Sequence, residues 1–213
     1  MQHARKDNEV LLWQSVVDRW VREAGILNED VEQAVLAGFA AVHRGSFAEP
    51  SHATAIYEDC DLPLALGGCI TRPSHLIRMM GLINLRRRMR VLELGVGSGY
   101  LCAVMAATGA QVFGVELNTQ LVQAARKQLD SLGLQGVVVR RGDGRKGWDE
   151  VGPFDAIVVS YPVKGEADIP LEQLAPNGSL VAPCGSGDRQ LLTLWKRTGE
   201  TLRKIVFEEV SWG

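Results

Sequence analysis

The stretch "VLELGVGSGY", residues 91–100, constrains this chain more than any other. A short apolar run passes directly into three glycines at alternate positions, Gly95, Gly97 and Gly99, and then into a helical stretch, "YLCAVMAATG". Glycines permit a tight turn and let a ligand approach the backbone closely. A loop that opens a helix also presents free N–H groups, which favour negative or polar ligand atoms. The chain is therefore expected to contain a strand–loop–helix unit with a ligand at its turn.

The same alternation continues downstream. "QVFGVE" reads as a second strand, and "NTQLVQAARKQLDSLG" as a helix capped by Asn118 or Thr119 and stopped at Gly133. "VVVRRGD" and "FDAIVVS" read as further strands, "PLEQLAP" as a short helix and "SLVAPCG" as a fifth strand. "QLLTLWKR" and "TLRKIVFEEV" suit a hairpin across Gly199. Strands that alternate with helices imply a parallel sheet with helices on both faces. The fold class expected is α/β: a Rossmann-like, doubly wound, mostly parallel sheet with a C-terminal antiparallel hairpin and an N-terminal helical extension.

In that extension, Leu12, Trp13, Val16, Val17, Trp20 and Val21 recur at three- and four-residue spacing, the mark of one buried helix face. Gly25 suits a helix stop, and Asn28 suits the cap of a second helix. Residues 44–73 carry several glycines and prolines and read as an irregular segment. A loop this long in a compact domain is often functional. "SHLIRMMGLI" then reads as helical. With no repeat and no linker, residues 1–213 are read as one domain. Its first 80 residues form the helical and loop side, and 90–213 the sheet.

The glycine spacing is GxGxG, and Tyr100 stands where a dinucleotide fingerprint places its third glycine. Glu116 ends the second strand about twenty positions after the loop begins, where a carboxylate can accept from ribose hydroxyls. Asp143 follows the third strand and could accept from an adenine amino group. Three such features at the carboxyl ends of successive strands mark the edge where open α/β sheets bind ligands. Ribose and adenine contacts without the dinucleotide spacing suit S-adenosyl-L-methionine better than NAD.

A net charge of −2 argues against generic attraction to nucleic acid. "RRRMR" is a local exception, read as a solvated loop rather than a phosphate patch. No apolar run is long enough to span a membrane, and no secretory signal is expected at "MQHARKDNEV". Cys60, Cys69, Cys102 and Cys184 lack metal-type spacing, so no metal is expected and free thiols in a cytoplasmic setting account for them.

The order of motifs resembles the protein-L-isoaspartate O-methyltransferase family. The landmarks are "HRGSF", "IYEDCDLPL", "GGCITRP", "VLELGVGSGY", "VELN", "GDGRKGW", "FDAIVVS", "LEQLAPNGSLVAPCG" and "RQLL". The resemblance implies an S-adenosyl-L-methionine site formed by Gly95, Gly97, Ser98 and Gly99, with Glu93 just before the loop. Glu116 and Leu117 would lie at the ribose, and Asp143 with Gly144 at the adenine. Gln190 stands where the family has a cofactor-side glutamine. Cys69, Ile70 and Thr71 fall on the segment between cofactor and acceptor, and Thr71 stands where the family has a serine that holds the acceptor carboxylate. The partners implied are isoaspartyl peptides and proteins, for a monomer acting in the cytoplasm.

The departures fall on the acceptor side. Cys69 replaces a threonine, Thr71 adds a methyl group to the serine position, and "FAEP", "SYPVKGEADIP" and "VSWG" differ from the usual family text. Arg72 could pair with the acceptor carboxylate or face solvent. His75 could be catalytic, but an ionised acceptor needs no base, so a structural role is expected. Tyr161 could cover the pocket or pack on the sheet edge. The alternatives are a related carboxylate methyltransferase with another substrate, a non-catalytic S-adenosyl-L-methionine-binding protein, and a nucleotide-dependent oxidoreductase.

Overall fold

A computed structural model describes residues 2–26, 28–187 and 189–212, with side chains from residue 8 onward. Helix α1 spans Gln2–Glu23 and ends at Gly25, whose φ of +62° suits glycine. Helix α2 spans Glu29–Ala41 and is capped by the Asn28 side chain, which accepts from the amides of Asp30 and Val31. Helix α3 spans Pro73–Leu82 with proline in its first turn. Trp13, Val17, Trp20, Val31, Val35, Phe39, Ile77 and Met80 from these helices join one buried cluster.

The sheet has seven strands: β3 (Arg90–Leu94), β4 (Gln111–Glu116), β5 (Val137–Arg141), β6 (Phe154–Val159), β7 (Leu174–Ser186), β8 (Arg189–Thr198) and β9 (Thr201–Val210). Their order is β5-β4-β3-β6-β7-β8-β9; β3 to β7 run parallel, while β8 and β9 are antiparallel. Helix α4 (Tyr100–Ala107) links β3 to β4, and α5 (Thr119–Ser131) links β4 to β5. The chain steps from β3 outward to β4 on one side and later returns to β6 on the other. That reversal opens a crevice at the carboxyl end of β3. The glycine loop sits there.

The expected sheet, hairpin and helical extension are therefore found, with local differences. Among the described residues, the five α-helices pack into one cluster with Val91, Val112, Ala156 and Val158. The opposite face, with Leu92, Leu94, Ile157 and Trp195, is covered by loops and 3₁₀ turns instead of full helices. "PLEQLAP" forms a single 3₁₀ turn, Leu171–Gln173, before β7 begins at Leu174. Pro176 and the restriction it places on the residue before it oppose continuation of the turn as a helix. The irregular segment 44–73 contains three 3₁₀ turns and a small hairpin of β1 (Leu62–Pro63) and β2 (Cys69–Ile70). No helix among the described residues is long and apolar enough to cross a membrane. The four cysteines are free thiols.

Candidate active site

At the carboxyl edge of β3 to β6 lies a cavity of about 650 Å³, lined by Gly95, Gly97, Glu116, Asp143, Ser160 and Tyr161 among others. Strand β4 delivers Glu116 to its wall. One carboxylate oxygen accepts from the Gly97 amide at 3.0 Å and the other from the Asn118 amide at 2.9 Å. Two backbone donors fix the rotamer, and each oxygen retains a lone pair directed elsewhere. The Asn118 side chain caps α5 and also donates to the Leu66 carbonyl at the tip of the β1–β2 hairpin. The hairpin tip is thus tied down over the cavity.

Asp143 follows β5 and caps the 3₁₀ turn Gly144–Lys146 through the Arg145 amide. The Arg145 guanidinium grips the same carboxylate at 2.7 Å, and these hydrogen bonds lower its pKa. Tyr161 closes the far wall. A Cβ at Gly95 would lie 2.7 Å from its ring, and a Cβ at Gly144 only 2.6 Å from its hydroxyl oxygen. Both glycines are needed for this close approach. The Tyr161 hydroxyl is buried without a protein partner, and burial pushes its pKa up to about 12.

A second cavity of about 30 Å³ adjoins the first and is lined by Ile70, Thr71, Glu93, Ser98 and Tyr100. Cys69, Gly95 and Ser160 line both cavities. Glu93 is fully buried, and one of its oxygens accepts from the Ser160 hydroxyl at 3.2 Å. Burial pushes its pKa up to about 8, so at neutral pH it is mostly a neutral acid. Burial likewise raises the Cys69 thiol, which favours its protonated form.

The Thr71 segment is held by side chains from far along the chain. Arg44 is 0% exposed, and its guanidinium donates to the carbonyls of Glu58, Cys60, Ile70 and Thr71 at 2.6–3.3 Å. Asp59 accepts from the Ser74 amide and Asp61 from the Arg72 amide, so both carboxylates satisfy the open first turn of α3. The Arg72 guanidinium is paired with Asp61 at 3.0 Å; it is neither free for an acceptor nor a bare solvent-facing side chain. His75 stacks on Trp212, with ring centroids 5.2 Å apart.

The residues singled out from the sequence thus fall into three groups. Cys69, Gly95, Gly97, Glu116, Leu117, Asp143 and Gly144 share the large cavity. Ile70, Thr71, Glu93 and Ser98 line the small one. Gly99 and Gln190 line neither. Gly99 starts α4 at φ +88°, and a Cβ there would press on Ala125 of α5 at 3.2 Å, so its role is close helix packing. Gln190 is a buried residue of β8, and its side-chain amide oxygen accepts from the Trp212 amide at 2.8 Å. Arg44, Asn118, Arg145 and Ser160 also build the site, and sequence reasoning misses them in that role. Arg44 and Arg145 stand inside recognisable motifs, "HRGSF" and "GDGRKGW", but nothing in those motifs says what the guanidinium groups grip.

Residues 14–212 match the family model described as protein-L-isoaspartate(D-aspartate) O-methyltransferase. A protein-L-isoaspartate O-methyltransferase of Hahella chejuensis is 38% identical over 193 residues, 90% of each chain. One from Stenotrophomonas maltophilia is 39% identical over 198 residues, 92% of this chain and 85% of that one. A solved protein-L-isoaspartate O-methyltransferase superposes with a TM-score of 0.82 at 25% identity; the match covers 93% of this chain but 64% of that longer one. A Plasmodium falciparum structure with S-adenosyl-L-homocysteine gives 0.78 at 23% identity, which speaks to fold alone. A family match across nearly the whole chain, with the motifs arranged around one crevice, leaves one conclusion: the chain belongs to the protein-L-isoaspartate O-methyltransferase family.

Proposed function

We propose that this chain transfers a methyl group from S-adenosyl-L-methionine to the α-carboxylate of isoaspartyl residues in proteins and peptides. One observation carries the reading. The Thr71 segment and the glycine loop meet at two adjoining cavities with Cys69, Gly95 and Ser160 in common.

The cavity suits the cofactor. Its volume lies in the ordinary range for small-molecule sites. Glu116 offers two fixed oxygens for a diol, and Asp143 an acceptor for an amino group, which would share it with Arg145. Val115, Leu117 and Leu121 supply apolar wall. When bound, S-adenosyl-L-methionine supplies an activated methyl group and its own leaving group.

The chain's residues then have mainly to bind, align and exclude water. An α-carboxyl group is ionised at neutral pH, with a reference pKa near about 3.5. No general base is required, in keeping with His75, which stacks on Trp212 and lines neither cavity. The Thr71 hydroxyl would donate to the acceptor carboxylate, and Arg44 would fix the backbone that carries it. Alignment of this kind is worth up to about 7–11 kcal/mol. Residues 1–213 act as one domain in this reading, a monomer working on damaged proteins in the cytoplasm.

The test is methyl transfer from labelled S-adenosyl-L-methionine to two peptides that differ only in one isoaspartyl or aspartyl linkage. Selective labelling of the isoaspartyl peptide supports the proposal. Labelling without that preference favours a second reading, a carboxylate methyltransferase with another substrate. The Thr71 methyl and the Cys69 thiol at the acceptor side are what motivate that second reading. Cofactor binding with no transfer would leave a binding protein.

A further inference from the structure

Trp212 lies outside both cavities, yet it touches each side of the site. Its indole is buried, and its N–H donates to the Ser160 carbonyl at 3.2 Å. Its backbone amide donates to Gln190 at 2.8 Å, and Gln190 in turn donates to the Gly187 carbonyl. Its ring stacks on His75 at an interplanar angle of 12°. Ser160 lines both cavities and donates to Glu93. His75 sits in the first turn of α3, one turn beyond Thr71.

We propose that Trp212 is a positioning residue for methyl transfer: its indole holds the cofactor wall through Ser160 and the acceptor segment through His75, and so sets the gap between them. The proposal rests on the methyltransferase reading above. The geometry favours this over plain packing. Packing alone makes no directed bond, whereas the N–H to Ser160 and the near-parallel stack on His75 tie the ring to one named group on each side of the site. Transfer to an aligned acceptor is steeply sensitive to that gap, since a displacement of about 1 Å can cost about a hundredfold in rate. Gln190, which lines neither cavity, has a place in the same arrangement. It anchors the backbone of Trp212.

The experiment uses the full chain with Trp212→Phe, which keeps a stacking ring and removes the N–H. Three quantities are compared with wild type: kcat and KM on an isoaspartyl peptide, the Kd of S-adenosyl-L-homocysteine, and Tm. The expected result is kcat of the folded protein lower by about tenfold, the worth of one hydrogen bond, with Kd near wild type and a lower Tm, since the Ser160 carbonyl loses its donor. Unchanged kcat in a folded variant overturns the proposal. So does a fall in kcat that only tracks loss of folded protein. A second readout does not depend on turnover. The emission that wild type has and Trp212→Phe lacks should change when S-adenosyl-L-homocysteine binds, because Ser160 lines its cavity. Emission indifferent to bound ligand also overturns the proposal. Should wild type methylate no isoaspartyl peptide, the substrate reading fails on its own, and the emission change still decides whether Trp212 is coupled to the cavity.

Discussion

The two sides of the crevice are built differently. On the glycine-loop side the carboxylates are set partly by near neighbours. Glu116 binds the Asn118 amide two residues away, as well as the Gly97 amide 19 residues back in the loop of the adjacent strand, and Asp143 is gripped by Arg145, also two residues away. On the acceptor side, Arg44 reaches carbonyls 14 to 27 residues along the chain, and Trp212 reaches Ser160 across 52. One side is a local motif laid on a sheet edge. The other is an irregular segment with little regular backbone bonding, held by a few buried polar side chains. A change on the first side should therefore weaken binding alone, while a change on the second should weaken structure and alignment together.

Arg44→Met breaks the comparison most severely. It keeps much of the volume but leaves the carbonyls of Glu58, Cys60, Ile70 and Thr71 without their shared donor. A buried acceptor left unpaired costs about 1–3 kcal/mol, so the total is expected to exceed about 3 kcal/mol. Urea unfolding would report it as a lower midpoint. Stability within about 0.5 kcal/mol of wild type, the usual range for a neutral surface change, would show that Arg44 does not hold the acceptor segment.

Two paired variants sharpen the contrast. Glu116→Ala should weaken S-adenosyl-L-methionine binding by about 1–3 kcal/mol, read by calorimetry, since it removes the fixed carboxylate. Thr71→Val should leave that affinity nearly unchanged and lower kcat by about tenfold, since only the hydroxyl is lost. If Thr71→Val turns over at the wild-type rate, its hydroxyl has no part in aligning the acceptor. If Glu116→Ala binds as tightly as wild type, the pocket is misplaced.

The same contrast explains what the sequence makes legible. Strand β3, the glycine loop, α4, the Asn118 cap and Glu116 are determined within a few residues, so periodicity and spacing reveal them. "IYEDCDLPL" and "HRGSF" are recognisable as motifs, but their work is not. Asp59 and Asp61 satisfy the first turn of α3, and Arg44 satisfies four distant carbonyls. These are contacts of the tertiary fold with no local signature. Gln190 is a further case. Its side-chain oxygen accepts from the Trp212 amide, and no pattern in β8 announces that.

Acidification should drive the two sides apart. His43 stands between Trp13 and Tyr57, and burial lowers its pKa against the opposing pull of Glu9. Burial also lowers His75, assisted by Arg72 and opposed by Asp61, Asp59 and Glu208. Groups with depressed folded values contribute stability above their unfolded pKa of about 6.5, and lose it as pH falls toward the folded value. Glu93 runs the other way. Its folded value is raised to about 8 from 4.5. Its contribution is full below the lower figure and lost as pH rises to the upper one. Between about pH 7.5 and 5.5, then, the histidines destabilise the acceptor side while Glu93 steadies β3 and the loop behind it. Hydrogen exchange at the two pH values, corrected for intrinsic rates, should show residues 44–75 losing protection relative to residues 90–116. Glu93→Gln should remove the trend in β3 and leave that of the acceptor segment in place. Parallel changes on both sides would mean that the segment and the sheet open as one unit, and that the contrast in how they are built has no counterpart in how they move.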